Sequence, residues 1–361
     1  MKILHIVGNE IEPSNGIGKL IPEMIGKVNL YSDILDCSML CLNGNYTNKE
    51  FKVFSEEDIS DSLFNAYDIF VFHGVYFFKY IGLYKKILSL GKIYLVKPHS
   101  SLIYQAQKKS LIKKIIANSI FFKGFIKNAA AVIYTNEDEA SNSVRWNERV
   151  IFEGNGITST QIDTVYQDKS ISSKPYKFVY LARIDSSHKG TDILLDALFV
   201  LKNSKDIVDI DFTFYGKGDV QEELLLQKRI SELNFASVSF KGPIYGDEKI
   251  QMLNSKDVFV LTSRYEGFPM AVLEALDCGL PCLVTQGVNM SKIIGKYNVG
   301  WECQTNANDV AELLLDVINI EPLHLRDMSI AARQFVTDNH SWPSLVKQTE
   351  AMFLGVNERT T

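Results

Sequence analysis

Two kinds of block alternate along this chain. Short runs of apolar, β-branched and aromatic residues at 2–8, 34–42, 68–73, 92–97 and 130–134 read as strands buried on both faces. Between them, segments with an apolar period near 3.6 predict helices over 19–31, 76–90 and 105–127. Such alternation gives a parallel sheet with helices on its faces. A polar stretch at 166–176, with Ser, Lys and one Pro, reads as a linker. A second series follows, with strands at 177–184, 211–215, 237–241, 258–261, 280–284 and 299–302. Its helices are predicted at 191–202, 220–233, 247–254, 269–278, 309–318 and 326–338, and a last helix at 342–354 closes the chain. The fold class is α/β, doubly wound, with no internal repeat.

Composition narrows the picture. At 361 residues the chain exceeds one ordinary domain, and a prior of roughly 150 residues per domain suggests two. A hydrophobic content of 46% supports sizeable cores. The net charge of −5 argues against a general nucleic-acid binder. Five cysteines, an odd number, read as reduced residues of a cytoplasmic protein. Cys278 and Cys282 have loosely metal-like spacing but no second ligand pair, so no metal is expected. The apolar run at the N-terminus is too short for a signal peptide, and no apolar stretch is long enough to span a membrane.

The densest chemistry lies between Arg264 and Thr285. Glu266 and Glu274 flank a Gly267-Phe268-Pro269 turn and the start of an apolar helix, directly after the strand at 258–261. Chain direction puts Glu266 and the free N–H groups of that helix at the carboxyl end of a parallel strand, where open α/β sheets bind ligands and where an anion is favoured. Glu274, in a largely apolar helix, needs a partner, either a structural cation or a sugar hydroxyl. Arg183 ends a strand and Lys189 precedes a helix. As a pair at a sheet edge they suit a diphosphate; as isolated residues they would be solvated surface charges. The loop at 9–18 carries Gly16 and Gly18, where backbone N–H groups could approach a phosphate or sugar or simply turn. His73 and His99 each follow a strand at the same edge.

With its Gly-Phe-Pro turn, the Glu266 and Glu274 pair resembles the signature of the retaining nucleotide-sugar glycosyltransferases of the GT-B fold, family four. Other segments resemble that family in the same order. Lys97-Pro98-His99-Ser100 is similar to its Pro-His-Gly segment, with Ser100 in place of glycine, and Leu181 to Gly190 is similar to its Arg and Lys pair. Val150 to Gly156 is similar to its Asn-Gly turn, with Gly154 where proline is common. The resemblance implies two Rossmann-like doubly wound parallel-sheet domains facing a central cleft. One is an acceptor-side domain at 1–168, completed by the helix at 342–361; the other is a nucleotide-sugar domain at 169–341. It implies a catalytic set of Glu266, His99, Arg183 and Lys189. Arg183 and Lys189 would hold the diphosphate by fixed charge, without need of an Asp-x-Asp metal motif. Glu266, His99 and the Gly267-Phe268 backbone would meet the donor sugar, Glu274 the ribose, and Gly216, Pro243 and Ile244 the base. Gly16, Gly18, His73 and Pro269 complete the substrate-binding set.

The implied activity is retaining transfer of a hexose or N-acetylhexosamine from a nucleotide diphosphate sugar to a glycan or lipid-linked glycan, in cell-surface polysaccharide biosynthesis. No cofactor or metal is expected, and a UDP-sugar is favoured over a GDP-sugar. Three other classes compete. A nicotinamide-dependent oxidoreductase would carry a fuller glycine fingerprint. A GT-B epimerase or phosphorylase would act on the nucleotide sugar alone or with phosphate. A silent sugar-binding module would have no use for four intact charged residues.

Charge is unevenly spread. From Ile69 to Asn136 there is no Asp or Glu but eleven lysines, from Lys79 to Lys127. Leu111, Ile112, Ile115, Ile116, Ile120, Phe121, Phe122, Phe125 and Ile126 interleave with them. The pattern predicts either an interfacial amphipathic helix, docking residues 79–127 on an anionic membrane at its cytoplasmic face, or a buried helix with solvated lysines.

Overall fold

The computed structural model describes residues 1–12, 16–108, 111–159, 174–204, 210–235 and 237–358. The linker expected at 166–176 lies, up to residue 173, outside the described residues, as do Asn15 and Lys109. The chain forms two compact units, Met1–Gly156 with His340–Thr361, and Ile157–Asn339.

The first unit holds β1 (Lys2–Val7), β2 (Asp36–Cys41), β3 (Val53–Phe54), β4 (Ile69–His73), β5 (Ile93–Lys97), β6 (Ala131–Tyr134) and β7 (Val150–Phe152). They make one parallel sheet in the order β3-β2-β1-β4-β5-β6-β7. Because both faces are covered, β1, β4 and β5 are almost wholly apolar. One face packs Ile3, Val71 and Ile133 against Ile21 and Ile25 of the helix Gly16–Tyr31 and against Trp342, Leu345 and Phe353 of the helix Trp342–Glu358. The other packs Ile6, Phe70, Phe72 and Tyr94 against Tyr80, Tyr84 and Phe125.

In the second unit β8 (Lys177–Leu181), β9 (Asp211–Tyr215), β10 (Val238–Phe240), β11 (Val258–Leu261), β12 (Cys282–Thr285) and β13 (Gly300–Cys303) form a second parallel sheet, ordered β10-β9-β8-β11-β12-β13. Strand order reverses between β1 and β4 in one sheet and between β8 and β11 in the other. A doubly wound sheet opens its ligand crevice outside the carboxyl ends of such a pair.

Several expected boundaries move. The first helix begins at Gly16, so Gly16 and Gly18 lie in its first turn rather than in a preceding loop. A short helix, Ser186–Lys189, intervenes before Thr191–Lys202 because Asp185 caps it, accepting from the His188 N–H, and Gly190 ends it at φ 63°. The segment expected as one helix at 105–127 is helical at Tyr104–Lys108 and Leu111–Ala117, with residues 109–110 outside the described residues, and a π-type turn at Asn118–Phe122 then leads into Lys123–Lys127. That wider turn rephases the side chains. Leu111, Ile112, Ile115, Ile116, Ile120 and Phe121 are exposed, whereas Phe122, Phe125 and Ile126 are buried. Lys97, counted among the surface lysines, is buried and ion-paired with Glu153 at 2.7 Å.

Candidate active site

Strand β8 delivers Arg183 and β11 delivers Glu266 to the carboxyl edge of the second sheet, at its switch point. Lys189 Nζ lies 2.5 Å from Glu266 Oε1, and the Ser263 hydroxyl donates to the same oxygen at 2.6 Å. The Asn289 amide donates to the Glu266 carbonyl. Glu266 is buried, with its carboxylate held by Lys189 and Ser263 and its carbonyl by Asn289. The Gly190 turn sits tight against β11. A Cβ there would come within 2.0 Å of the Thr262 carbonyl, so only glycine allows Lys189 this close approach.

Arg183 donates to Asp185 at 2.8 Å and lies 3.0 Å from His188 Nδ1. The His188 ring stacks on Tyr265 with centroids 4.2 Å apart. Burial first, then Lys189, lowers the pKa of His188. Arg264 grips Asp192 through two bonds of 2.7 and 2.6 Å, tying the β11 loop to the helix Thr191–Lys202. The helix Met270–Asp277 starts at Pro269, and no side chain caps its N-terminus. The Val272 N–H donates to the Pro269 carbonyl at 3.0 Å, so it is the N–H groups of Met270 and Ala271 at the start of the helix that could meet an anion. On the same helix Glu274 accepts from Lys249 at 2.7 Å, so the partner it required is supplied within the fold by a cation. Gly216 follows β9 with its Cα against the Ala182 carbonyl, where a Cβ would come within 1.9 Å. Its N–H donates to the Gly242 carbonyl at 3.0 Å, which brings the loop of Pro243 and Ile244 to the same edge. Asp209-Ile210-Asp211 has the Asp-x-Asp form, but Asp211 begins β9, at the amino end of that strand, opposite this edge.

In the first unit, β4 ends at His73, and His99 stands two residues beyond β5. His73 Nδ1 and His99 Nε2 are 2.8 Å apart. His99 and Ser100 both take left-handed backbone, φ 48° and 67°, so Ser100 adopts the conformation that glycine serves more easily. The strain is held by Glu139, whose carboxylate accepts from the Ser100 N–H at 2.9 Å and from the N–H and hydroxyl of Thr135.

Sequence reasoning passed over Lys249, Ser263, Arg264, Asn289 and His5. Only His5 carried a local signal, as a polar residue inside an apolar strand.

Residues 161–335 match the family described as Glycosyl transferases group 1. That match covers just under half of the chain, and over it the chain is similar to the glycosyl transferases group 1. It is 26% identical over 217 residues to an uncharacterized glycosyltransferase of Methanocaldococcus jannaschii, covering 59% of this chain and 56% of that protein. It is 25% identical over 246 residues to the N,N'-diacetylbacillosaminyl-diphospho-undecaprenol alpha-1,3-N-acetylgalactosaminyltransferase of Campylobacter jejuni, covering 64% of this chain and 62% of that one. The chain thus spans less than two thirds of the length of these relatives. Two solved structures share the whole fold. The sucrose-phosphate synthase from Thermosynechococcus elongatus matches with a TM-score of 0.74 at 15% identity, over 99% of both chains. HepE of Anabaena in complex with UDP and glucose matches at 0.69 and 16%, over 98% of this chain and 100% of that one. The group 1 segment therefore sits in a GT-B architecture of two Rossmann-like parallel-sheet units.

Proposed function

We propose that this protein is a retaining, metal-independent glycosyltransferase that moves a hexose or N-acetylhexosamine from a nucleotide diphosphate sugar to a glycan or lipid-linked glycan. The observation that carries the reading is the grouping of Lys189, Arg183 and the uncapped helix N-terminus at Pro269 on one sheet edge beside Glu266. As the glycosidic phosphate bond breaks, negative charge grows on the departing diphosphate, and groups fixed in advance stabilise it most. In the free protein carboxylates occupy both cations, Glu266 on Lys189 and Asp185 on Arg183. A diphosphate would exchange with them, freeing Glu266 to accept from a sugar hydroxyl while Glu274 meets the ribose. Retention follows if the departing phosphate takes the acceptor proton on the face from which the acceptor attacks.

UDP is the favoured carrier, supported by the UDP found with the HepE fold. A lipid-linked acceptor is supported by the Campylobacter relative, whose name carries an undecaprenol diphosphate. An acceptor of that kind calls for a cytoplasmic protein that docks on a membrane. Six exposed apolar side chains between Leu111 and Phe121, with Phe78 beside Phe121 and exposed Lys85, Lys108, Lys113, Lys123 and Lys127, supply such a surface. No described helix is long and apolar enough to cross a membrane.

The test is thermal shift against a panel of UDP- and GDP-sugars, followed by NMR of the product anomer. A UDP-sugar at a hundred times its Kd should stabilise by about 2.7 kcal/mol. A panel in which no nucleotide sugar raises the melting temperature, or a product of inverted configuration, contradicts the reading.

A further inference from the structure

Behind His99 stand two more imidazoles that the proposed chemistry does not use. Parallel pairing of β1 with β4 sets His5 opposite Val71 and Val7 opposite His73. His5 and His73 therefore share a face of the sheet, two positions apart on neighbouring strands. Next, β4 pairs with β5, His73 opposite Lys97, and His99 follows two residues on. Each step crosses one strand and climbs two residues, so the three rings run in line towards the carboxyl edge. His5 Nδ1 lies 2.9 Å from His73 Nε2, and His73 Nδ1 lies 2.8 Å from His99 Nε2. Neighbouring rings are tilted by 32° and 24°, with centroids 5.2 and 5.1 Å apart. His5 and His73 are buried, while His99 is partly exposed.

The backbone fixes this line. The Tyr80 hydroxyl accepts from the Gly8 N–H at 2.7 Å and donates to the His73 carbonyl at 2.7 Å. Glu139 pins the strained turn at His99 and Ser100. Because the inner nitrogens face one another, they do not converge on a point, and no cluster among the described residues could hold a metal ion. Burial holds the rings neutral: it pushes His5 down to about 4, against the pull of Glu153, and His99 to about 3, with Lys97 adding to the effect. His73 is lowered well below the ordinary range by burial and then by its two neighbours.

Three neutral rings joined this way have two proton orderings. If His5 Nδ1–H donates, His73 accepts at Nε2, must carry its proton on Nδ1, and donates to His99 Nε2, which leaves the His99 proton on Nδ1. In the reverse ordering every ring carries its proton on Nε2, and His99 Nδ1 is a bare acceptor. We propose that His5 and His73 are positioning residues for His99: the three rings act as one proton-ordering chain whose outer nitrogen, His99 Nδ1, meets a ligand hydroxyl as donor or acceptor without carrying charge. A hydroxyl can take either role, whereas a phosphate or carboxylate only accepts. The identity of the ligand, a sugar hydroxyl, rests on the transferase reading above; the ordering is a property of the free protein.

The experiment is long-range proton–nitrogen correlation spectroscopy on the full chain labelled with nitrogen-15 histidine, assigned by single substitutions. The three rings should report the same tautomer, or the same ratio if they exchange, with no imidazolium pattern between pH 8 and about pH 5. His5→Leu, which removes a ring that does not touch His99, should change the His99 tautomer ratio at least about threefold. Rings of opposite tautomer, or an unchanged ratio at His99, overturn the proposal. If His5→Leu does not fold, His73→Asn and His73→Gln decide. Asn keeps a polar atom near the Nδ1 position, facing His99, and Gln keeps one near Nε2, facing His5. The Gln variant should lose more of the His99 bias and about fivefold more kcat/KM for the donor. Equal effects of the two overturn the chain. The spectra need no substrate, so a protein that transfers no sugar fails the functional reading and leaves the ordering result standing.

Discussion

Lys189 and Glu266 are the side chains on which the proposed transfer most directly turns. Their 2.5 Å contact is largely shielded from water, so the cation is held in place before a diphosphate arrives. Lys189→Ala should lower kcat roughly a hundredfold, as for other fixed charges aimed at a leaving group, and should also lower the melting temperature, because it leaves the buried Glu266 carboxylate without its cation. Initial rates in EDTA should equal those with magnesium. Full turnover by the alanine variant, or activity abolished by EDTA and restored by metal, contradicts fixed-charge stabilisation. The buried histidines carry a separate prediction. Their folded pKa values lie below the unfolded value near 6.5, so the unfolded chain takes up protons first as pH falls. Their contribution to stability is complete above about pH 6.5 and shrinks towards pH 4 for His5 and pH 3 for His99, by up to about 1.4 kcal/mol per pH unit for each ring. Lys97 and Glu153 also face His5, with opposing effects. Urea unfolding at pH 7 and pH 5 should therefore show a smaller drop for His5→Leu than for wild type; equal drops contradict it.

Among the elements, the helix Trp342–Glu358 has the most distinct structural task. It returns to the first unit, where Trp342 is buried and donates to Glu23 at 3.2 Å. Thr349 donates to Glu153 at 3.2 Å, and the Ser32 hydroxyl donates to Glu350 at 2.5 Å. The Trp342 ring lies so close to Gly156 that a Cβ there would come within 2.6 Å. Trp342→Ala should cost the first unit about 3–5 kcal/mol, because it opens a ring-sized cavity. Calorimetry should show the transition of that unit moving down; an unmoved transition would mean that the helix contributes little to it. The segment between Leu111 and Lys127 shows the opposite arrangement, since its π-type turn leaves the apolar side chains before it on the surface and buries those after it.

For the whole molecule, an overall negative charge coexists with a strip from Ile69 to Asn136 that contains no acid. Not all of that strip faces outward. Lys79 bonds Glu56, Lys86 bonds Asp61, and Lys97 is buried against Glu153. Lys85, Lys108, Lys113, Lys123 and Lys127 are exposed around the apolar patch. At about 1 kcal/mol per lysine near an anionic leaflet, attachment should be reversible and sensitive to salt. The protein should pellet with anionic vesicles at low salt, and Lys108, Lys113, Lys123 and Lys127 changed together to Glu should abolish pelleting. Equal pelleting of wild type and variant would assign the lysines to solubility or to an anionic acceptor.

The α/β class, the parallel sheets and the order along the chain of every strand but the two-residue β3 were legible in the sequence, because apolar runs and helical periods are local properties. The sequence also placed Arg183, Glu266, His73 and His99 at or just beyond strand ends, since chain direction alone puts such residues at the carboxyl edge. Tertiary structure decided who partners whom. Lys189 and Glu266 are 77 residues apart, Lys249 and Glu274 are 25 apart, and His5 reaches His73 across 68. Those contacts depend on which strands become neighbours and in what register, and no local periodicity encodes that. The same holds for Lys97 and for Phe122, Phe125 and Ile126. A residue's type sets what its burial would cost, but only the packed sheet determines whether it is buried.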